Sequence, residues 1–419
     1  MNSETRRTEE EAATGPSHRK PLAVLFFTVL IDLLGFGMIL PLLPFYAQEF
    51  GASDFQIGLL LAAFSAAQLV MAPILGILSD RYGRRPVLLT AIAIGFFAYL
   101  LFAAPSLPGA PGPLATHGIW VLMVARFVAG SAAANFAVAP AYIADILPAG
   151  QRSKGMGMLG AAFGLGFVGG PALGALLGTW GLAAVALGPA VLSFVNWGLA
   201  YFYLPESLAA ENRRRTPWNP FDGFRRLTGN PHLKGLLTLF FLVTLCFSLM
   251  EATLALYCQH RFEFGQRETA WLFVYIGVLL VIVQGGLIGR MARRFGDRRM
   301  AIVGIAGIAA GLLALPLAPG LATLGLAGAL LAFGSGFYNP TSMALISRIT
   351  GSATQGEVQG LSRFFGSLAR VLGPLGGTWL FERVGPAMPF QAAAALMAAT
   401  CLFAWPVLRR LRGPDGEPI

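Results

Sequence analysis

Long apolar runs alternate along this chain with short clusters of arginine, glycine and proline. A helix needs about 20 apolar residues to cross a bilayer. Twelve runs meet that length: Leu22–Tyr46, Ile57–Ser79, Pro86–Ala104, Ile119–Ile143, Gly155–Gly178, Leu182–Leu204, Gly235–Gln259, Thr269–Met291, Met300–Ala318, Leu321–Ile349, Val358–Phe381 and Pro386–Leu408. The ninth and tenth are parted only by "PLAPG". The pattern predicts an all-α membrane protein of twelve transmembrane helices.

The polar clusters carry the orientation. With the N-terminus in the cytoplasm, 24 of the 30 Lys and Arg residues fall on the cytoplasmic side, Arg290 and Arg348 being counted there at the cytoplasmic ends of spans eight and ten. Only Arg261, Arg267 and Arg383 fall outside, and Arg126, Arg363 and Arg370 lie within spans. Basic residues gather in cytoplasmic loops, so both termini are expected inside. Residues 1–20 read as a polar cytoplasmic tail. The apolar run that follows is too long for a signal-peptide core and lacks a small-residue cleavage site. The longest polar interruption, 205–234, reads as a cytoplasmic linker between bundles at 21–204 and 235–408, with a tail at 409–419. Trp218 and Phe221 in that linker suggest a short surface helix.

Composition agrees. Hydrophobic residues make up 56% of the 419 residues and charged residues 12%, against about 25% charged in soluble domains. The net charge of +10 reads as loop orientation rather than nucleic-acid binding. Cys246, Cys258 and Cys401 lie in or beside apolar runs without metal-ligand spacing. The four histidines lie in tails and loops. No metal site, cofactor site or catalytic cluster is expected, so an enzyme is not. A receptor or a membrane-embedded enzyme would need such a cluster or a large extramembrane domain.

The two halves echo each other. "GILSDRYGRRP" follows span two and "GRMARRFGDRR" follows span eight, so Gly76 matches Gly289 and Gly83 matches Gly296. Span five carries "GPALG" and span eleven "GPLGG". Two matched signals in the same order indicate a duplicated six-helix bundle, the halves related by a pseudo-twofold axis.

Ionisable residues inside the spans are the candidate chemistry. A charge at mid-bilayer costs at least ~2.5–3.5 kcal/mol on insertion scales. Asp32 lies in span one, and loss of water disfavours its charged form, so it can exchange a proton. A structural carboxylate bonded to a neighbouring helix is the alternative. Glu251 occupies the corresponding span seven, nearer its outer end, where reaching toward the interface is the alternative. Arg126 in span four stays charged and needs a carboxylate, carbonyls or water, in a functional or a purely structural pairing. Arg363 and Arg370 share one face of span eleven and can line a cavity. Asn135, Gln284 and Asn339 are intramembrane amides able to bind substrate or join helices. Gly170 and Pro171 suit close packing and a bend that seals the outer mouth. Gly83 permits a tight turn. Asp80 beside it can be held by the N-terminus of a facing helix, latching the two bundles on the cytoplasmic side; Arg293 stands at its counterpart, and Asp297 is displaced.

These residues resemble the major facilitator superfamily over all twelve spans. "GILSDRYGRRP" is similar to its loop signature at Gly76, Leu78, Asp80, Arg81, Gly83, Arg84 and Arg85. "GFVGGPALG" resembles the signature of proton-coupled antiporters at Gly166, Gly170, Pro171 and Gly174. "RFVAG" resembles the Arg-x-x-x-Gly element of span four at Arg126 and Gly130. The stretch with Asp32, Gly35, Gly37, Pro41 and Pro44, with "GSGFYNPTSMALISR" in span ten, looks like the drug:proton branch that includes tetracycline efflux proteins. The resemblance implies a monomeric, proton-coupled antiporter in the bacterial inner membrane. It would export a small amphiphilic molecule by alternating access, with Asp32, Arg126 and Glu251 coupling protons. A proton symporter or facilitator for a metabolite is the alternative.

Overall fold

The computed structural model describes residues 16–411 except 108, 110–111, 113–115, 134, 149–150, 214–229 and 351–354. Trp218, Phe221, most of the linker and most of both tails therefore lie outside the described residues. The first half comprises α1 (Pro16–Ile39), α2 (Leu43–Gln48), α3 (Asp54–Tyr82), α4 (Arg84–Ala103), α5 (Gly118–Ala132), α6 (Asn135–Ile146), α7 (Arg152–Gly178) and α8 (Leu182–Tyr203). The second comprises α9 (Pro231–Phe262), α10 (Gln266–Ile282), a π turn at Val283–Leu287, α11 (Ile288–Phe295), α12 (Asp297–Ala314), α13 (Leu321–Arg348), α14 (Gln355–Arg383) and α15 (Met388–Arg409).

Helix overlaps each predicted span, and the ends obey local chemistry. Span one stops at Ile39, before Pro41, and resumes as α2 with Pro44 in its first turn. Proline lacks an N–H and disfavours helix in the residue before it. Asn230 caps α9 by accepting from the His232 and Leu233 amides. At the far end Glu263 adopts a left-handed conformation and Phe264 N donates to Cys258 O, closing the helix as C-terminal caps do. The tight turns before α4 and α12 rest on Gly83 (φ 107°) and Gly296 (φ 82°), a region that costs side-chain-bearing residues.

Among the described residues nine helices are long and apolar enough to cross a membrane. Three predicted spans fall short for visible reasons. Span four is divided between α5 and α6, the helix over span nine, α12, opens on Asp297-Arg298-Arg299, and span eleven carries Arg363 and Arg370. Large apolar side chains such as Phe97, Trp120, Trp180, Phe202, Leu402 and Trp405 are exposed. That is the expected surface where the surrounding solvent is lipid.

By contact the chain groups into two units. The first holds residues 1–40 and 67–217, and the second holds 41–66 and 218–419. In the first, Leu25 and Val29 of α1 pack with Leu88 and Ile92 of α4, Val138 and Tyr142 of α6, and Ala162 of α7. In the second, α12 lies on α13 and α9 on α14. The stretch 41–66, the far end of span one and the start of span two, joins the second unit through three ties. Gln48 and Gln259 exchange amide hydrogen bonds at 3.1 and 3.0 Å. Phe55 N donates to Glu382 Oε2 at 2.7 Å. A Cβ on Gly58 would strike the Thr378 hydroxyl and lie 2.8 Å from Pro374 O.

Candidate functional site

In the first unit the intramembrane charges gather around a tyrosine. Arg126 of α5 is 2% exposed and Tyr99 of α4 is 8% exposed. Asp32 of α1 and Arg126 both act electrostatically on the Tyr99 hydroxyl. The hydroxyl reaches α1 because Gly35, three residues beyond Asp32, has no side chain: a Cβ there would lie 2.5 Å from Tyr99 Oη and 3.2 Å from Pro189 of α8. One turn before Asp32, the Thr28 hydroxyl has two acceptors for its single proton, Asn196 Oδ1 at 3.0 Å and Val24 O of its own helix at 2.9 Å. Tyr99 and Asn196 were not anticipated from the sequence. An isolated tyrosine or asparagine in an apolar run gives no sign of which helix it will meet.

The helix bearing Asp32 is gripped by the glycines of α7. A Cβ on Gly166 would collide with Leu33, and one on Gly170 would lie 2.7 Å from Gly37 Cα and 3.0 Å from Leu34 O. Pro171 Cδ closes the same seam, 3.2 Å from the position of a Cβ on Gly37. Gly166, Gly170 and Pro171 therefore hold the backbone of the segment just after the carboxylate. Gly174, a turn further on, is predicted with them and is buried at least in part.

The second unit repeats the arrangement. Gly373 and Gly377 of α14 press on α9, with Cβ positions 2.8 Å from Ser248 Cβ and 2.9 Å from Leu249 O. Glu251 of α9 lies beside that seam and interacts electrostatically with Arg370 of α14. Arg363, two turns away on α14, is exposed. Gln284 is exposed in the π turn, and Asn339 is exposed on α13. A π turn leaves one backbone step out of register, here at Gln284-Gly285-Gly286. Asn135 starts α6, and its side chain lies outside the described residues. Glu251 and Arg370 thus act on each other in one unit, and Asp32 and Arg126 both act on Tyr99 in the other.

The loop motif forms a network at the arginine-rich end. Arg84 pairs with Asp80 at 2.5 Å and with Asp145 of α6 at 3.0 Å, and it donates to Ser79 Oγ at 2.6 Å. Glu206, just past α8, accepts from the Arg84 and Arg85 amides at 2.8 and 3.2 Å. Its carboxylate fills the space a Cβ on Gly83 would need. Arg85 donates to Tyr201 O at 2.8 Å. Arg81 lies 5.5 Å from the Tyr82 ring centroid. Gly76 meets nothing within 4 Å of a Cβ position. Asp80 thus pairs with its own loop here. Among the described residues no group of three or more His, Cys, Asp or Glu is placed to hold a metal.

Comparison with known proteins agrees with this construction. The family model of the Major Facilitator Superfamily matches residues 25–288 and again 281–419. The chain is 33% identical over 396 residues to the tetracycline resistance protein, class C, of Escherichia coli, covering 93% of this chain and 96% of that protein. It is 30% identical to the class G protein of Vibrio anguillarum, covering 94% and 98%. Among solved structures, the human organic anion transporter MFSD10 superposes with a TM-score of 0.71 at 25% identity, covering 93% and 100%. A D-xylose-proton symporter gives 0.73 at 18% identity, covering 95% and 99%. The chain belongs to the major facilitator superfamily, and it is a multi-pass membrane transporter of small molecules rather than an enzyme.

Proposed function

We propose that the chain exports an amphiphilic, tetracycline-like molecule across the bacterial inner membrane in exchange for protons. The observation that carries this reading is the setting of Asp32. A carboxylate sits in an apolar helix, on the segment that the α7 glycines grip, and acts on a tyrosine hydroxyl that a buried arginine also acts on. Its neutral and charged forms interact differently with Arg126, so proton uptake changes the balance of charge inside the first unit. Glu251 and Arg370 form the corresponding pair in the second. Substrate and proton competing for such sites give exchange when the protein alternates between its two openings. The names of the class C and class G relatives support tetracycline-like cargo. The reading takes both termini as cytoplasmic and the working form as a monomer that binds no nucleic acid. Asn135, Gln284, Asn339, Arg363 and Arg370 are its substrate-facing residues. Asp80, Arg81, Gly83, Arg84 and Arg85 form its cytoplasmic gate.

Proteoliposomes with an imposed pH gradient test this. Wild-type protein should drive tetracycline uptake into vesicles acidic inside. Asp32→Asn should insert normally and lose gradient-driven flux. Undiminished flux in that variant, or wild-type flux indifferent to the gradient, would defeat the antiport reading.

A further inference from the structure

Each half of the chain turns at the same glycine, but the space beside the turn is filled in only one of them. In the first half Glu206 occupies it and accepts from two backbone amides at the start of α4. In the second half a Cβ on Gly296 would meet nothing within 4 Å. A cavity of about 480 Å³ opens there, lined by Arg294, Phe295, Gly296, Asp297, Arg298, Arg299, Leu345 and Arg348. Four guanidinium groups thus face one carboxylate.

The matching contacts reinforce the parallel. Arg298, the counterpart of Arg85, donates to Leu411 O at 2.7 Å beyond α15, as Arg85 does to Tyr201 O in α8. Arg298 Nε is buried without a hydrogen-bond partner among the described residues. The ion pair is inverted: Asp297 meets Arg348 at 2.8 Å where Arg84 meets Asp145. Arg294 lies 5.4 Å from the Phe295 ring centroid, and Arg299 is exposed. The fold therefore builds the same anion seat twice, fills one with its own carboxylate, and surrounds the other with arginines.

We propose that this second seat binds a phosphate-bearing anion, either the headgroup of an anionic phospholipid or free phosphate. The volume falls in the roughly 300–1,000 Å³ range of small-ligand sites. Planar guanidinium groups match phosphate oxygens in pairs. The seat lies at a helix N-terminus, whose amides favour negative charge. Basic pockets at the ends of transmembrane helices suit lipid headgroups. One carboxylate against four guanidinium groups leaves excess positive charge, and that favours phosphate over a second carboxylate.

The test uses purified, delipidated full-length protein. Phosphatidylglycerol, phosphatidylcholine and inorganic phosphate are added separately. Lipid retention is read by native mass spectrometry and phosphate binding by protection against thermal unfolding. Phosphatidylglycerol retained over phosphatidylcholine assigns the seat to lipid. Protection by phosphate without lipid preference assigns it to the free ion. In either case Arg294→Gln and Arg299→Gln should lower occupancy by about fivefold each, while Arg81→Gln in the first half should not. Asp297→Asn removes the one negative charge and should raise occupancy, which keeps the proposal testable if the arginine variants fold poorly. Occupancy unchanged in the arginine variants or lowered in Asp297→Asn overturns it. So does the absence of both lipid preference and phosphate protection. Binding seen only after Asp415→Asn and Glu417→Gln would also overturn it, because the chain's own tail would then hold the seat.

Discussion

Tyr99 shows what a single residue contributes that a hydropathy pattern hides. Its hydroxyl feels both the Asp32 carboxylate and the Arg126 guanidinium and lies against the bare backbone of Gly35. Tyr99→Phe keeps the ring and removes only the hydroxyl. The variant should fold and insert, and its gradient-driven flux should fall with a displaced pH profile. A pH profile that overlays wild type would reduce Tyr99 to packing. Gly35→Ala tests the same contact from the other side. Its methyl would lie 2.5 Å from Tyr99 Oη, so the hydroxyl must leave and the same change in profile should follow. Asp32, Arg126 and Glu251 stand out in the sequence as candidates because a charge in an apolar run is costly and demands a reason. Tyr99 and Asn196 do not, since neither breaks the pattern, and only the approach of α4 and α8 to α1 reveals them. For the same reason the sequence read Asp80 as facing another helix, whereas here it pairs with Arg84 four residues on.

At the scale of elements, the two glycine seams decide how closely helices approach. Gly170 meets Gly37 backbone to backbone, and Gly377 meets the backbone of Leu249. Backbone cannot rotate aside, so Gly170→Ala and Gly377→Ala should each cost about 1–3 kcal/mol, the usual penalty of overpacking. Thermal unfolding in detergent would measure it. Gly76→Ala is the contrast: nothing lies near its Cβ position, and alanine suits a helix better than glycine. That variant should keep wild-type stability although it alters the loop signature. Equal losses at all three positions would refute the seam argument. Gly170→Leu goes further and should wedge α1 from α7, raising outer-side labelling of cavity cysteines. The seams were readable from the repeated Gly-Pro signals. The break after Ile39 and the π turn at Val283–Leu287 were not read, because hydropathy counts residues without registering the hydrogen bonds between them.

Across the whole molecule, the duplication was the most legible feature, since both halves spend glycine and proline at matching places. It did not foretell that the stretch 41–66 would group with the second half. The ties responsible join single polar groups far apart in sequence, and no periodicity announces them. Glu382 makes the shortest of these hydrogen bonds: its carboxylate accepts from the Phe55 amide at 2.7 Å, at the first turn of α3. An anion there satisfies an amide that the helix itself leaves open and complements the helix dipole. On the proposed exchange reading, with these ends of spans one and two facing outward and parting from spans seven and eleven when the outer mouth opens, the tie would break in every cycle. The bond is exposed to solvent, so screening leaves it worth about 0.2–1 kcal/mol, which corresponds to a shift of up to roughly fivefold between two states. Glu382→Ala should therefore favour the outward-open form. Glu382→Gln, which keeps an acceptor oxygen, should have a smaller effect. Outer-side labelling of a cysteine placed at Gly58, where Thr378 and Pro374 crowd the helix, would compare the variants in an otherwise identical background. Labelling that rises in the order wild type, Glu382→Gln, Glu382→Ala supports the tie as an outer fastening. Equal labelling in all three would mean that 41–66 is held by packing alone.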